Sequence, residues 1–521
     1  MTAGVSAEYV DDLPYVRHFI ADLSPARLRL VAALNGLEPP PDVEFDYCEL
    51  GCAHGDTLVA LAAAYPEARF LGVDLSAAHV ASAKRLARDG AVENVGVLER
   101  DFADLVSEDI GEFDFIVAHG VLSWVSPDKR KALLDFAKAK LKPGGLLHVS
   151  YNAMPGWASV EPLRQLLLFG GAAVGAGAEG DTSLERARRG LAFAQSMERA
   201  GADYFAKNPA ASEMLETMAK AGLPYVVHEY LHEHWAPMYF ARVAWEMAAS
   251  DLHFVGGLPV HSNFRDTAVS EAQERLLATV TDRATFESLK DFATDEFFRR
   301  DVFVKGTPPR SAVTTDLYLD GTTWGTLSSE LPAGQTVRLP HRTVSLGGST
   351  FEALFAALAA GPTTLAVLAA RPELAGVGQG ALRAALHRLI VAEQIVPMRA
   401  PARPGVAGAD DLYVVPSVYN QTMLRRLSAE APIVMVSSVV GTAFPMSALE
   451  ALAIRIMTEV VAAERERWAR DLVGRSVLRI RIGERVLEDR EEQRRAILDT
   501  VEQLRPRLPK FVELGILEPN T

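Results

Sequence analysis

A chain of 521 residues, 49% of them hydrophobic and 23% charged, has the composition of an ordinary soluble globular protein and the length for about two to four domains. Its formal net charge of −14 excludes a general affinity for nucleic acid or anionic membrane, and an acidic surface of this kind attracts basic partners instead. The start MTAGVSAEYVDDLPYV lacks the basic residues and apolar run of a secretion signal, and no stretch approaches the roughly 18 apolar residues of a membrane span. Cys48 and Cys52 are too few for a disulfide framework or a four-ligand zinc site, so a reduced, cytoplasmic setting without membrane insertion is expected.

Residues 1–40 read as a helical preface, with helix-like SPARLRLVAALNGL running into the rigid Pro39-Pro40-Pro41. From 41 to 306 strands and helices alternate as FDYCEL, DTLVALAAAY, ARFLGVD, SAAHVASAKRLARDG, NVGVLERD, FDFIVAHG, PDKRKALLDFAKAKL and LLHVSYN. This rhythm predicts an α/β domain built on a doubly wound, mostly parallel, Rossmann-like sheet. Residues 158–237 interrupt it with helical segments that read as a cap insertion, after which MYFARVAWEMAAS, LHFVGG and RRDVFVKG resume the pattern. Residues 307–349, rich in Thr, Gly and Leu, read as a connector of short strands. Over 350–430, the helical FEALFAALAAG, TTLAVLAARP and QGALRAALHRLIVAEQ with the strand DLYVVPS predict a winged-helix-like unit. Between 350 and 420, Arg371, Arg383, Arg388, Arg399 and Arg403 are matched by Glu352, Glu373, Glu393, Asp410 and Asp411, which disfavours DNA as a partner. Residues 431–521 predict a C-terminal helical domain from MSALEALAIRIMTEVVAAERERWARDL and EDREEQRRAILDTVEQLRPRL.

Chemistry concentrates at the strand ends of the sheet domain. Glu49-Leu50-Gly51-Cys52-Ala53-His54-Gly55 ends a strand in an acid and continues in glycines that let backbone approach a ligand. The nicotinamide fingerprint is not met, because Ala53 and Asp56 stand where its second and third glycines belong. The second strand ends in Asp74, a carboxylate suited to a pair of ribose hydroxyls, and the third in Arg100-Asp101-Phe102, an acid and a ring suited to adenine. Leu141-Lys142-Pro143-Gly144-Gly145 turns into the fifth strand. A competing signal lies in VVHEYLHEHW, where His228-Glu229-Tyr230-Leu231-His232 satisfies the H-E-x-x-H pattern of zinc peptidases. Zinc binding there needs a helix, whereas β-favouring YVV between Pro224 and Pro237 predicts a loop.

In this order and spacing the pieces resemble the class I S-adenosylmethionine-dependent methyltransferases. The resemblance implies that Glu49, Gly51 and Gly55 hold the methionyl part of S-adenosyl-L-methionine, Asp74 the ribose, and Asp101 with Phe102 the adenine. Ala53, which replaces a common glycine, Leu75 and His119 complete the implied contacts, with Tyr15 closing from the preface. The preface, HGVLSWV, SYNAMPGW, EYLHEHWAPMYF and the tail further resemble bacterial methyltransferases carrying a regulatory domain, a group that includes protein lysine methyltransferases of outer-membrane proteins. A protein or peptide substrate, with lysine first, is what that implies, and a homodimer is compatible with it. In such relatives the segment at His228 recurs without zinc, so no metal is expected. His119, where amine-methylating relatives carry an asparagine, has two open roles, on the acceptor or on the methionyl amine. Trp124, Tyr151, Asn152, His228 and Tyr230 are the remaining acceptor-side candidates; the alternative for Trp124 is packing the cap onto the sheet, and for His228 and Tyr230 polar contacts that anchor the cap. A methyltransferase for a small molecule or natural-product peptide, acting on an Asn amide or a hydroxyl, and a non-catalytic cofactor-binding protein are the rival readings.

Overall fold

The computed structural model describes residues 17–173, 182–232, 234–329, 334, 336–400, 412–426, 432–475, 480–482 and 485–520. Tyr15, Arg403, Asp410 and Asp411 lie outside the described residues. The preface contributes α1 (Pro25–Leu34), which starts with proline in its first turn and ends at Asn35-Gly36, where Gly36 adopts φ +81°. Alternation then gives β1 (Asp46–Leu50), α2 (Asp56–Ala64), β2 (Arg69–Asp74), α3 (Ala77–Asp89), β3 (Val95–Glu99), β4 (Phe113–Ala118), α4 (Pro127–Lys140) and β5 (Leu141–Asn152). β4 is buried along its whole length, as a strand covered on both faces must be.

The cap follows as α5 (Glu161–Ala173), α6 (Ser183–Arg199), α7 (Asp203–Lys207), α8 (Pro209–Ala221) and α9 (Leu223–Tyr230). It has an apolar cluster of its own, including Trp157, Leu163, Leu215, Met218, Val226 and Tyr230. A Cβ at Gly190 would lie 2.3 Å from the Leu167 carbonyl oxygen, so α5 and α6 meet backbone to backbone there. The loop expected over 224–230 is a helix: Pro224 sits in its first turn, where it is tolerated, and buried Val226, Val227 and Tyr230 override the local β preference of YVV.

The chain returns to the sheet through α10 (Phe240–Ala248), β6 (Leu252–Gly257), α11 (Arg265–Ala268), α12 (Glu271–Leu277), α13 (Arg283–Thr294) and β7 (Phe298–Lys305). Strand order is β3-β2-β1-β4-β5-β7-β6, with β7 antiparallel to both neighbours and the others parallel to one another. β7 is locked by a buried ionic cluster. The Arg299 guanidinium donates to Asp301 at 3.0 Å, to Asp291 at 2.5 Å and to Glu287 at 2.9 Å, and the Tyr151 hydroxyl donates to Asp301 at 2.6 Å. Although burial alone would raise the Glu287 carboxyl, Lys290, Arg299 and Arg283 hold it down to about 2.

The C-terminal half departs from expectation at three places. Residues 312–321, expected as strand, form α14 (Ala312–Gly321): the Ser311 hydroxyl accepts from Val313 N, and the helix packs on α1, where the Thr315 hydroxyl donates to the Ala33 carbonyl. β8 (Thr323–Gly325) precedes a β9–β10 hairpin (Thr336–Arg338, Thr343–Ser345) and α15 (Ser349–Ala359), α16 (Leu365–Ala369) and α17 (Gln379–Val391), and pairs with β11 (Val396–Met398). The strand expected to finish this unit, β12 (Tyr413–Val414), pairs instead with the chain's last strand, Glu518–Pro519. Helix α18 (Val418–Arg425) and a hairpin of β13 (Ile433–Ser437) and β14 (Thr442–Met446) follow. The single long helix expected from 446 is two, Ala448–Glu459 and Arg465–Arg475, because Val460 turns extended. Nor is this half free-standing: one apolar cluster runs from Leu28, Leu58 and Leu61 to Trp324, Leu386, Val434 and Ile454, with α2 packed on β13 and β14.

Removing the Arg299 cation would leave Asp291 and Asp301 buried without an ion-pair partner, a loss of about 3–5 kcal/mol. Arg299→Met is therefore expected to lower the unfolding midpoint in denaturant clearly, and a midpoint equal to wild type would show the cluster to be dispensable.

Candidate active site

At the carboxyl end of β1 the chain makes a tight loop that only certain residues can follow. Gly51 and Gly55 adopt φ +75° and +73°, and Ala53 is held at +46°. Gly51 N and Cys52 N both donate to Val73 O, at 2.8 and 3.1 Å, tying the loop to the end of β2. A Cβ on Gly55 would meet Ala83 Cβ at 2.6 Å, so α2 starts hard against α3. Asp56 opens α2 and accepts from Arg17 at 2.6 and 2.9 Å, which fastens the preface over the loop.

Three acids face this edge. Glu49 is buried, its Oε2 has no hydrogen-bond partner among the described residues, and burial, with the charges of Asp74 and Asp56, pushes its carboxyl up to about 8. Asp74 accepts from Ala53 N at 2.8 Å and Ser76 N at 2.9 Å, with His79 Nδ1 3.2 Å away. Its carboxylate thus clamps the two loops before any ligand arrives. Leu75 beside it is exposed. Asp101 accepts from Ala103 N at 2.9 Å and pairs with Lys129. Phe102 is 8% exposed and packs in the core between the sheet and α4.

After β4, His119 lies with its ring stacked 6.1 Å from His148 and edge-on 5.8 Å from Phe298. Its Nδ1 is buried without a hydrogen-bond partner among the described residues, and burial lowers its basicity to about 4, so the imidazole is neutral at pH 7. His148, in the middle of β5, is fully buried, and neither ring nitrogen has a hydrogen-bond partner among the described residues. Sequence reasoning passed over it, although a histidine inside LLHVSYN is a polar group in a strand that must be covered on both faces. Gly120 N donates to the Ser150 hydroxyl at 2.8 Å and Asn152 N to the Ser123 hydroxyl at 2.9 Å, joining the loop after β4 to β5.

The remaining acceptor-side candidates divide. Asn152 is buried at the end of β5 beside that loop. The Trp124 indole donates to Glu229 O at 3.3 Å, which fixes the cap to the sheet. Tyr151, expected to wall a channel, is wholly buried on the opposite side of the strand and bonded to Asp301, because alternation along β5 turns it into the core. Tyr230 and His228 likewise belong to the inside of the cap: the Tyr230 ring packs 6.0 Å from Trp157 and its hydroxyl donates to Met214 Sδ at 3.5 Å, while His228 is 2% exposed. Among the described residues, no three His, Cys, Asp or Glu side chains converge to hold a metal ion.

A seven-stranded sheet with an antiparallel seventh strand, a glycine loop after β1 and acids ending β1 and β2 define a Rossmann-like methyltransferase. A methyltransferase-domain family model matches residues 48–147, and the model of a predicted methyltransferase regulatory domain matches residues 223–305. The chain is 35% identical to the uncharacterized protein sll1526 of Synechocystis over 57% of its own length and 58% of that protein. It is 32% identical to the uncharacterized protein RP028 of Rickettsia prowazekii over 44% of its length and 90% of RP028. The chain belongs to this family, in which a methyltransferase domain is joined to a methyltransferase regulatory domain. It spans 58% and 51% of the length of two of these relatives, sll1526 and RP789. In fold it is similar to PKMT2 from Rickettsia typhi in complex with AdoHcy, with a TM-score of 0.72, 20% identity and coverage of 97% of this chain and 100% of that one.

The cofactor such a domain implies is S-adenosyl-L-methionine, and the residues present fit it. The orphaned Glu49 carboxyl is the acceptor a ligand ammonium needs, the positive-φ loop leaves backbone open to close approach, and Asp74 ends the strand beside it. Because Glu49 holds its proton in the folded chain, its contribution to stability falls as pH rises from its ordinary value near 4.5 towards about 8. A bound ammonium favours the ionised carboxylate. Cofactor affinity is therefore expected to rise between roughly pH 6 and 7.5 with release of a proton, and calorimetry of Glu49→Gln should show weaker binding without that slope.

Proposed function

We propose that the protein transfers a methyl group from S-adenosyl-L-methionine to a protein or peptide side chain, most directly the amine of lysine. The observation that carries the reading is His119: a neutral, desolvated imidazole on the loop after β4, beside the cofactor edge, with a buried nitrogen that has no partner among the described residues. The solved structure of similar fold bears the name of a protein lysine methyltransferase, PKMT2, which supports the acceptor class. Buried free Cys48 and Cys52 fit a reducing cytoplasm.

Bound donor supplies an electrophilic methyl on a sulfonium. The chain's own task is to present a neutral amine to it in line. A lysine of ordinary basicity is uncharged in only about one molecule in several thousand at pH 7. A site that excludes water and lacks a bound counter-charge lowers that basicity, and the neutral His119 ring can accept a hydrogen bond from the amine's N–H and hold it in line. Asn152, buried beside the same loop, is the second polar group at this edge.

Purified protein incubated with methyl-labelled donor and a lysate of its own cell is expected to label protein, and acid hydrolysis should return methyl-lysines. Label in hydroxyl esters, amides or small molecules would replace the lysine reading. His119→Ala is expected to lower turnover by about 10²-fold or more while donor affinity changes less than threefold. Equal losses of turnover and affinity would place His119 on the methionyl amine.

A further inference from the structure

The segment 223–305 does more than complete the sheet. Since β7 runs antiparallel to β5 and β6 antiparallel to β7, the end of β6 at Gly257 and the start of β7 at Phe298 lie on the same edge as the carboxyl ends of β1, β4 and β5. Between them is a cavity of about 340 Å³, lined by Gly257, His261, Glu296, Phe298 and Arg300 among others, and by His341 from the connector. Phe298 is the residue whose ring meets His119, so cavity and catalytic edge share a wall.

Its electrostatics are particular. Of the cations lining it, Arg299 and Lys290 are committed to Glu287, Asp291 and Asp301, and Arg300 pairs with Asp22. Asp295 and Glu296 also line it, and neither is in an ion pair among the described residues, so the uncompensated charge is negative and favours a cation. Arg300 Nε has no hydrogen-bond partner among the described residues, and His261 is held neutral, its basicity lowered to about 4 by burial and by His341, Lys290 and Arg300. An amine drawn in as a cation therefore meets a neutral imidazole able to accept its N–H.

We propose that the regulatory-domain segment supplies the acceptor pocket: this cavity takes a lysine side chain, with Asp295 and Glu296 attracting its ammonium and His261 accepting a hydrogen bond from the amine. The inference rests on the amine-methyltransferase reading. The ammonium loses one proton to solvent, its nitrogen lone pair forms the N–C bond, and the C–S bond breaks with its electron pair left on sulfur. Charge balances, since the methylated amine takes up the positive charge that the sulfonium gives up.

The test separates the pocket from the reading beneath it. Thr294 lines the cavity at the end of α13, and both native cysteines are buried, so Thr294→Cys can be labelled selectively with a maleimide. N-acetyl-lysine methylamide is expected to slow that labelling at least threefold, and N-acetyl-norleucine methylamide to leave it unchanged. This readout needs no turnover, so it decides the pocket even if methyl transfer proves to act on another group. Thr294→Trp is expected to cut methylation of lysate protein at least tenfold with donor affinity and melting temperature retained. His261→Gln should lower kcat and move the acidic limb of its pH profile upward, with KM changed less than threefold. No protection by the lysine probe, equal protection by both probes, or full methylation by Thr294→Trp would overturn the proposal. Failure of the wild-type protein to label lysine would instead remove the underlying function, a result seen before any variant is made.

Discussion

Arg299 is the point on which the catalytic edge depends. A guanidinium 4% exposed could not remain ionised in a protein interior without carboxylates on several sides, and it has them from α13 and from β7 itself. Asp301 is held in turn by the Tyr151 hydroxyl from β5, and the Arg299 guanidinium lies 4.2 Å above the Phe240 ring of α10. A sheet whose edge strands are joined only by backbone bonds could slip in register. Here a slip of one residue would turn Arg299 to the other face and strand its acids. The cluster thus fixes which side chains of β7 reach the cavity and which reach the core.

Sequence was most informative where backbone conformation and chemistry coincide. Glu49, Gly51, Gly55 and Asp74 stand at strand ends because a parallel sheet leaves its loops there, and their spacing follows from the length of one strand and one helix. The structure puts them on one edge, with two of the loop's glycines at positive φ. It was least informative where tertiary packing reversed a local preference. YVVHEY became helix because its apolar side chains are buried in the cap, and AVTTDLYLDG because one face docks on α1. Tyr151 illustrates a third limit: period-two alternation says that it and Asn152 face opposite ways, but only the fold says which way is the core.

Desolvation, more than formal charge, shapes this edge. The chain carries −14 overall, yet Glu49 holds its proton at neutral pH and His119 and His148 are uncharged. Each departs from its ordinary state in the direction burial dictates, and each leaves a polar atom without a hydrogen-bond partner among the described residues. Orphaned groups of this kind cost about 1–3 kcal/mol apiece, so their concentration at one edge needs a compensating role. A cationic cofactor and an amine that must lose its proton are partners that such groups suit.

The H-E-x-x-H match shows how a motif loses its meaning when the backbone does not carry it. Two histidines four apart share a face only while the helix continues, but α9 closes at Tyr230 with Leu231 as its cap, so His232 already lies beyond it. There the His232 carbonyl accepts from the Arg164 guanidinium at 2.5 Å, and that guanidinium lies 5.0 Å from the Trp235 ring. Glu229 contributes its backbone carbonyl to the Trp124 indole. The segment holds the cap onto the loop that presents His119, and its polar residues serve the methyl-transfer edge by fixing the position of that loop.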